Sequence, residues 1–338
     1  MDNEQKTVII TGAAGMDGST LSDIYLAKGW RVIGIDGWHP EGKYPNLVEA
    51  WKNNDFILET GDITEREWIA SVIKKYEPDI FYNMAAISLV PESHKIPTRV
   101  FTVNTLGVLN ILETLRYYSP KTKFYQASSS EQIGDNTEPN QNIDSRMLPN
   151  SPYAVSKLAS FHLVRIYRRY GLFAVNGMLW NHEGPRRGPS FVTRKITLGV
   201  SAIAKGKKEH ILLGNLNAHR DWGLAQDFCE AMVMMMEADK PDDYAVSTGE
   251  VHSIREFVEE AFSHINIKLA WEGTGLDEVG VDENGVVRVK VDPKYYRPTE
   301  VQYLHGSYTK TKEQIGWEPK TKFKDLVKLM MENDLKGD

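Results

Sequence analysis

A single cysteine, Cys229, stands in the whole 338-residue chain, which excludes an internal disulfide and a cysteine-based metal site. No run approaches the roughly 18 apolar residues needed to span a bilayer, and the opening MDNEQKTVIITG lacks the layout of a signal peptide. Positive charge is not in excess either. The 46 acidic and 40 basic residues leave a net charge of −6, without the basic footprint that a nucleic-acid or acidic-membrane binder needs. Internal repeats, low-complexity tracts and flexible linkers are also lacking, and His94, His252 and His305 have no metal-ligand spacing. These absences point to a cytoplasmic globular protein with no metal, no nucleic-acid partner and no membrane partner. Small anionic ligands stay open, because a local cluster of cations can oppose the global sign.

What is present fits about two structural units at roughly 150 residues each. In the first half, short apolar runs alternate with amphipathic stretches. Lys6–Thr11, Arg31–Asp36, Asp55–Thr60, Ile80–Ala85 and Lys123–Ser128 read as buried strands, with helices over Ser19–Lys28 and Thr102–Tyr117 between them. Continuous apolar strands separated by helices predict an α/β fold, a Rossmann-type doubly wound parallel sheet covered on both faces. From about residue 180 the rhythm breaks into polar, glycine-punctuated loops. The expected division is a dinucleotide-binding unit over 1–180, to which later segments can return, and a smaller α/β substrate lobe over 181–338.

Gly12, Gly15 and Gly18 form G-x-x-G-x-x-G between the first strand and the first helix. Glycines there permit the tight turn and let backbone N–H groups and the helix N-terminus approach a pyrophosphate. Asp36 ends the second strand, where a carboxylate can accept hydrogen bonds from both ribose hydroxyls of NAD and would repel a 2′-phosphate. NAD is therefore expected ahead of NADP. Asp62, in GDIT after the third strand, is placed either to meet the adenine or to cap a helix.

Tyr153 and Lys157 stand at i and i+4 on a helix opened by Ser151-Pro152, so they share a face. An ammonium beside a phenol lowers its pKa and favours a tyrosinate base. Ser128-Ser129-Ser130-Glu131 follows the fifth strand, where open α/β sheets bind their ligands. Ser129 can hydrogen-bond a substrate oxygen, and Glu131 adds a carboxylic acid–base group. Two proton-transfer groups are more than a simple dehydrogenase needs.

The stretches TGAAGMDGS, YNMAAIS, FYQASSSE, SPYAVSK, NHEGPRRG, FVTRKI, LGNLNAHRDWG, TGEVHSIREF, RPTEV and GWEPK, from residue 11 to about 320, carry a resemblance. The chain resembles the extended short-chain dehydrogenases/reductases, and within them the GDP-mannose 4,6-dehydratase family. The resemblance implies a hydro-lyase with an internally recycled nicotinamide cofactor, a GDP-sugar substrate and a homo-oligomer, dimer or tetramer. Tyr153 would deprotonate the sugar 4-hydroxyl, Ser129 would hold its oxygen, and Lys157 would bind the nicotinamide ribose. Glu131 would remove the C5 proton and protonate the departing 6-hydroxyl. Cofactor contacts would fall at Gly12, Gly15, Met16, Asp17, Gly18, Asp36, Asp62, Ile63, Ala85, Ala86, Ser88, Tyr153, Lys157, His182 and Arg187. Substrate contacts would fall at Ser88, Ser129, Asn181, Lys195, Arg220, Arg297 and Glu300.

The chain departs from the family where paired arginines usually follow the second strand, having Asp36-Gly37-Trp38 instead. It also departs at Ile87-Ser88-Leu89 and Gln132-Ile133, positions expected to border the sugar, so another GDP-sugar such as a heptose is an alternative substrate. A 4-epimerase or reductase, which would need no acid at 131, and a non-catalytic NAD-binding protein are the other readings. Seven lysines and arginines with no acid lie from Pro185 to Lys208, and such a run is either a solvated face or an anion site. Methionines 232 and 234–236 read as core filler.

Overall fold

The protein is described from a computed structural model, over residues 5–38, 44–295, 301 and 303–337. Seven parallel strands form its central sheet. The strands β1 (Thr7–Thr11), β2 (Arg31–Asp36), β3 (Phe56–Thr60), β4 (Ile80–Asn83), β5 (Lys123–Ser129) and β6 (Ala174–Leu179) are joined by a late edge strand, Asp243–Val246. The order is edge strand, β6, β5, β4, β1, β2, β3. Chain progression reverses between β1 and β4, and this switch point opens a crevice at the carboxyl ends of the strands.

Strand composition explains the arrangement. Every residue of β1 and β6 is buried, as a sheet covered on both faces requires. One face carries helix α1 (Met16–Ala27) and the helix Ala225–Glu237, whose Met232, Met235 and Met236 fill the space beneath β1, β4 and β6. The other face carries the helices Arg66–Tyr76, Gly107–Tyr118 and Pro152–Arg169, with Phe81, Phe124, Ile111 and Val164 at their contact.

Two helix starts differ from the sequence expectation. Helix α1 begins at Met16, three residues early, and buries residues on nearly every side, so no amphipathic stripe marks its first turn. The helix expected from Thr102 is regular only from Gly107. Residues Thr102–Leu106 form a π-turn continuing from Pro97–Phe101. Asn104 in that turn is buried, accepts from the Ile87 N–H at 2.9 Å and donates to Ser156 Oγ at 3.1 Å, so a tertiary contact sets the local register.

The second lobe is assembled from short pieces. Ala270–Glu272, Val279–Val281, Val287–Val291 and Ile211–Leu213 make a four-stranded sheet in that order, under the helices Val192–Ala204, Ile254–Ser263 and Phe323–Lys336. Arg194 of the basic run belongs to this packing. Its guanidinium meets the buried Asp334 at 2.8 Å, which in turn accepts from Thr197 Oγ1 at 2.7 Å. Arg194 is thus neither a solvated cation nor part of an anion-ligand site, because its charge is paired inside the lobe. Among the described residues no helix is long and apolar enough to cross a membrane.

Candidate active site

A cleft of about 1510 Å³ runs along the carboxyl ends of the parallel strands and continues beneath the second lobe. This exceeds the roughly 300–1,000 Å³ usual for one small ligand and has room for two nucleotides. Every site residue named from the sequence borders it, except Arg297 and Glu300, which lie outside the described residues.

At one end, the turn after β1 brings backbone against backbone. Gly12 has φ +66°, and a Cβ there would lie 2.9 Å from Ala85 N. A Cβ on Gly18 would lie 2.2 Å from Gly12 O, so α1 can start against the turn only because that carbon is missing. The first turn of α1 points at the cleft with no side-chain cap on its N-terminus. Asp36 lies beside it, with Oδ2 accepting from Ala14 N at 2.7 Å and Oδ1 from Gly37 N at 2.8 Å. Asp62 does not cap a helix, because the next helix begins at Arg66 with Glu65 as its N-cap. Its carboxylate accepts from Thr64 N at 2.9 Å and from Arg99 Nη2 at 2.6 Å.

Asp17 reaches across to the second lobe. His182 Nε2 lies 2.9 Å from Asp17 Oδ2, while His182 Nδ1 faces the Trp180 carbonyl at 2.8 Å. Both neighbours are acceptors, so the ring carries both protons. Burial alone would discharge the pair, but mutual attraction wins and holds Asp17 below the usual carboxylate range and His182 above the usual imidazole one. The ring also stacks on Phe228 at 4.8 Å. Asp17 Oδ1 and Asn181 Oδ1 are buried without a hydrogen-bond partner, the pattern of a cleft shaped for a polar ligand. Glu183 meets Arg187 at 2.9 Å and accepts from Thr193 Oγ1 at 2.7 Å, so it orients that guanidinium.

In the middle of the cleft Ser129, Glu131, Tyr153 and Lys157 come together, all buried. Ser129 is the last residue of β5, and its Oγ accepts from Glu131 N at 3.2 Å. Ser151 caps the next helix by accepting from Ala154 N at 3.1 Å, which sets Tyr153 and Lys157 on its inner face. Lys157 Nζ donates to Ala127 O at 2.9 Å and lies 5.8 Å from the Tyr153 ring centre. Lys157 does not depress the phenol as the sequence suggested. Burial pushes Tyr153 up to about 12, partly offset by the Ser129 hydrogen bond, and burial brings Lys157 down to about 8.

Gln132 and Ile133, expected to border the sugar, do not line the cleft. Both are fully buried behind β5, where Gln132 Oε1 accepts from Ser128 Oγ and its amide packs on Met147 and Met178. Ile87, Ser88 and Leu89 do border the cleft. Arg220 lies in the far half, with Lys195 Nζ 3.5 Å from the Tyr295 ring centre nearby. Sequence reasoning missed Asn46, whose amide donates to Ala14 O at 3.0 Å and to Arg186 O at 3.3 Å, and nothing in its loop marked it. It also missed Trp180, Trp222 and Tyr295 as cleft walls, although the last two sit in the RDWG and YYRP stretches.

The doubly wound sheet, the glycine turn and the Ser129–Tyr153–Lys157 set define an extended short-chain dehydrogenase/reductase. The fold is that of UDP-glucose 4-epimerase of Thermus thermophilus, solved with NAD, at TM-score 0.81 and 26% identity over 98% of this chain and 100% of that one. The chain belongs to the GDP-mannose 4,6 dehydratase family, whose model matches residues 9–330. It is 44% identical to "GDP-mannose 4,6 dehydratase 2" of Caenorhabditis elegans, over 98% of this chain and 90% of the relative. It is 41% identical to the human GDP-mannose 4,6 dehydratase, over 99% and 93%.

Gly18→Ala forces α1 off the turn, a strain of roughly 1–3 kcal/mol. The expected outcome is a loss of about tenfold or more in dinucleotide affinity by calorimetric titration. Unchanged affinity would contradict the close packing of α1 on the turn as the basis of the cradle.

Proposed function

We propose that this protein is a hydro-lyase that converts GDP-mannose to GDP-4-keto-6-deoxymannose with a tightly held nicotinamide dinucleotide. The observation that carries the reading is a carboxylate, Glu131, buried beside Ser129, Tyr153 and Lys157 in one cleft with the glycine turn. The cradle suits the dinucleotide: the Gly12–Gly18 turn and α1 receive the pyrophosphate, Asp36 the adenosine ribose, and Lys157 the nicotinamide ribose. The unpartnered Asp17 Oδ1 and Asn181 Oδ1 line the same space.

A bound nicotinamide supplies reversible hydride acceptance, from sugar C4 at the start and back to C6 at the end. The protein moves the protons. Tyr153 takes the proton of the 4-hydroxyl, and Ser129 hydrogen-bonds the same oxygen. A phenol that burial pushes up to about 12 is helped to give up its proton by the Ser129 hydrogen bond and the charge of Arg187, while Lys157 on the same helix face holds the nicotinamide ribose. With C4 a ketone, the C5 proton is acidic. Glu131 removes it and passes it to the 6-hydroxyl, which leaves as water. As C6 is reduced, C5 takes up a solvent-derived proton, and Tyr153 yields to solvent the proton it took from the 4-hydroxyl. Substrate and product then differ by one water, with no net oxidation. Arg220 and Lys195 serve the diphosphate side, where a permanently charged guanidinium fork is well matched. Ile87 and Leu89 at the sugar side support a second reading, the same chemistry on another GDP-sugar. Exposed Leu106, Val155 and Ile166 on the helical segments 97–118 and 152–169 support a homo-oligomer.

The test incubates the protein with GDP-mannose, without added cofactor, and reads product mass. Wild type is expected to yield a product lighter by one water. Glu131→Gln should slow this by about 10²–10⁴-fold while dinucleotide affinity is kept. Normal water loss in that variant would sink the role of Glu131 and favour an epimerase-type reaction.

The cofactor we propose is NAD. The Asp36 carboxylate meets the ribose end of the cradle, and its charge opposes a 2′-phosphate. Calorimetry on cofactor-stripped protein should give tighter binding of NAD than of NADP, by about tenfold or more. Tighter NADP binding would overturn the assignment.

A further inference from the structure

Asp221 is fully buried and takes no part in the proton transfers above. Its carboxylate gathers donors from two distant segments. Oδ1 accepts from Thr248 N at 2.8 Å and Thr248 Oγ1 at 2.7 Å, and Oδ2 from Gly249 N at 2.9 Å and Gly306 N at 3.3 Å. The same two segments flank the strand His219–Arg220, with His252–Ser253 antiparallel on one side and Tyr303–Leu304 parallel on the other. Asp221 therefore closes the end of a three-stranded ribbon whose central strand delivers Arg220 to the cleft.

The clip also reaches the loop that follows the glutamate. A Cβ on Gly306 would lie 2.2 Å from Ser247 Cβ and 2.8 Å from the Trp180 ring, so this backbone is wedged in place. Its neighbours hold Gln141, on the loop that follows Glu131: Gln141 N donates to His305 O at 2.7 Å, and Ser307 N to Gln141 O at 2.8 Å. One carboxylate thus fixes the Arg220 ribbon against the loop that follows Glu131. A buried charge is an unfavourable way to fasten loops, and burial pushes Asp221 up to about 6 despite its donors. Four converging donors give a defined geometry that an apolar residue would not.

We propose that Asp221 is a positioning residue for nucleotide-sugar binding, holding Arg220 at the diphosphate and tying its ribbon to the loop that follows Glu131. This rests on the assignment of Arg220 to the diphosphate under the proposed function.

Asp221→Asn keeps size and one acceptor but turns an NH₂ toward one of the two donor pairs, Thr248 or Gly249 with Gly306. The probe is GDP alone, titrated calorimetrically into the full-length, NAD-loaded protein, alongside the KM and kcat for GDP-mannose. The expected result is about tenfold weaker GDP binding and a KM raised to match, with kcat changed less than about threefold and NAD affinity unchanged. Unchanged GDP affinity in the folded variant would overturn the proposal. So would a joint fall of GDP affinity, kcat and NAD affinity, the mark of general structural damage. If Asp221→Asn does not fold, Thr248→Val decides: a rise of about threefold in the GDP Kd supports the role, and no rise overturns it. Wild-type turnover of GDP-mannose reads the proposed function separately, because the variant arm uses only the ratio of GDP affinities.

Discussion

Helix α1 meets the turn before it with no room for a single carbon, and the site depends on that contact. With a Cβ of Gly18 only 2.2 Å from Gly12 O, the helix axis is fixed on the end of β1. That fixes where the N-terminal N–H groups point, and so where a pyrophosphate can sit. It also places Asp17 so that its carboxylate reaches His182, in the segment that leads away from the central sheet after β6. The segment Asn181–Glu183 then pairs in parallel with Trp222–Leu224, so the two substrate-side stretches lie side by side. A steric fact of one glycine is passed on, through one ion pair and one short strand pair, to the ribbon that carries Arg220.

Burial without ligand-like partners is the electrostatic theme of the cleft. Tyr153 is pushed up and Lys157 down by the same loss of water, so burial favours the neutral form of both groups. Asp17 and His182 show the opposite outcome, because each has its partner already in place. The difference between the two pairs is geometric. Lys157 spends its ammonium on the Ala127 carbonyl rather than on the phenol.

Five of the seven central strands were legible because they are apolar runs separated by glycines and helices, whereas Ala174–Leu179 and the late edge strand Asp243–Val246 were not. Arg31–Asp36 is found at its expected bounds, and Phe56–Thr60 differs from expectation by one residue. The start of α1 was not legible, since a helix buried nearly all round has no stripe to read. The π-turn at Thr102–Leu106 was hidden for another reason: its register answers to Ile87 and Ser156, contacts that no local pattern encodes. In the second lobe, strands of two or three residues carry no periodicity, and only the motif resemblance marked its site residues. Arg194 looked like its neighbours in a basic run, and what set it apart was a carboxylate at position 334. Asp221 was in plain view inside RDWG, but its partners at 248, 249 and 306 meet only in the fold.

The proposed reaction oxidises C4, eliminates water across C5 and C6, and returns the same hydride to C6 within one cleft. The most direct measurement uses GDP-mannose carrying deuterium at C4, with the product examined by NMR and mass spectrometry. The expected result is deuterium recovered at C6, with a solvent-derived proton at C5. Deuterium retained at C4, or lost to solvent or to an exchangeable dinucleotide pool, would contradict it.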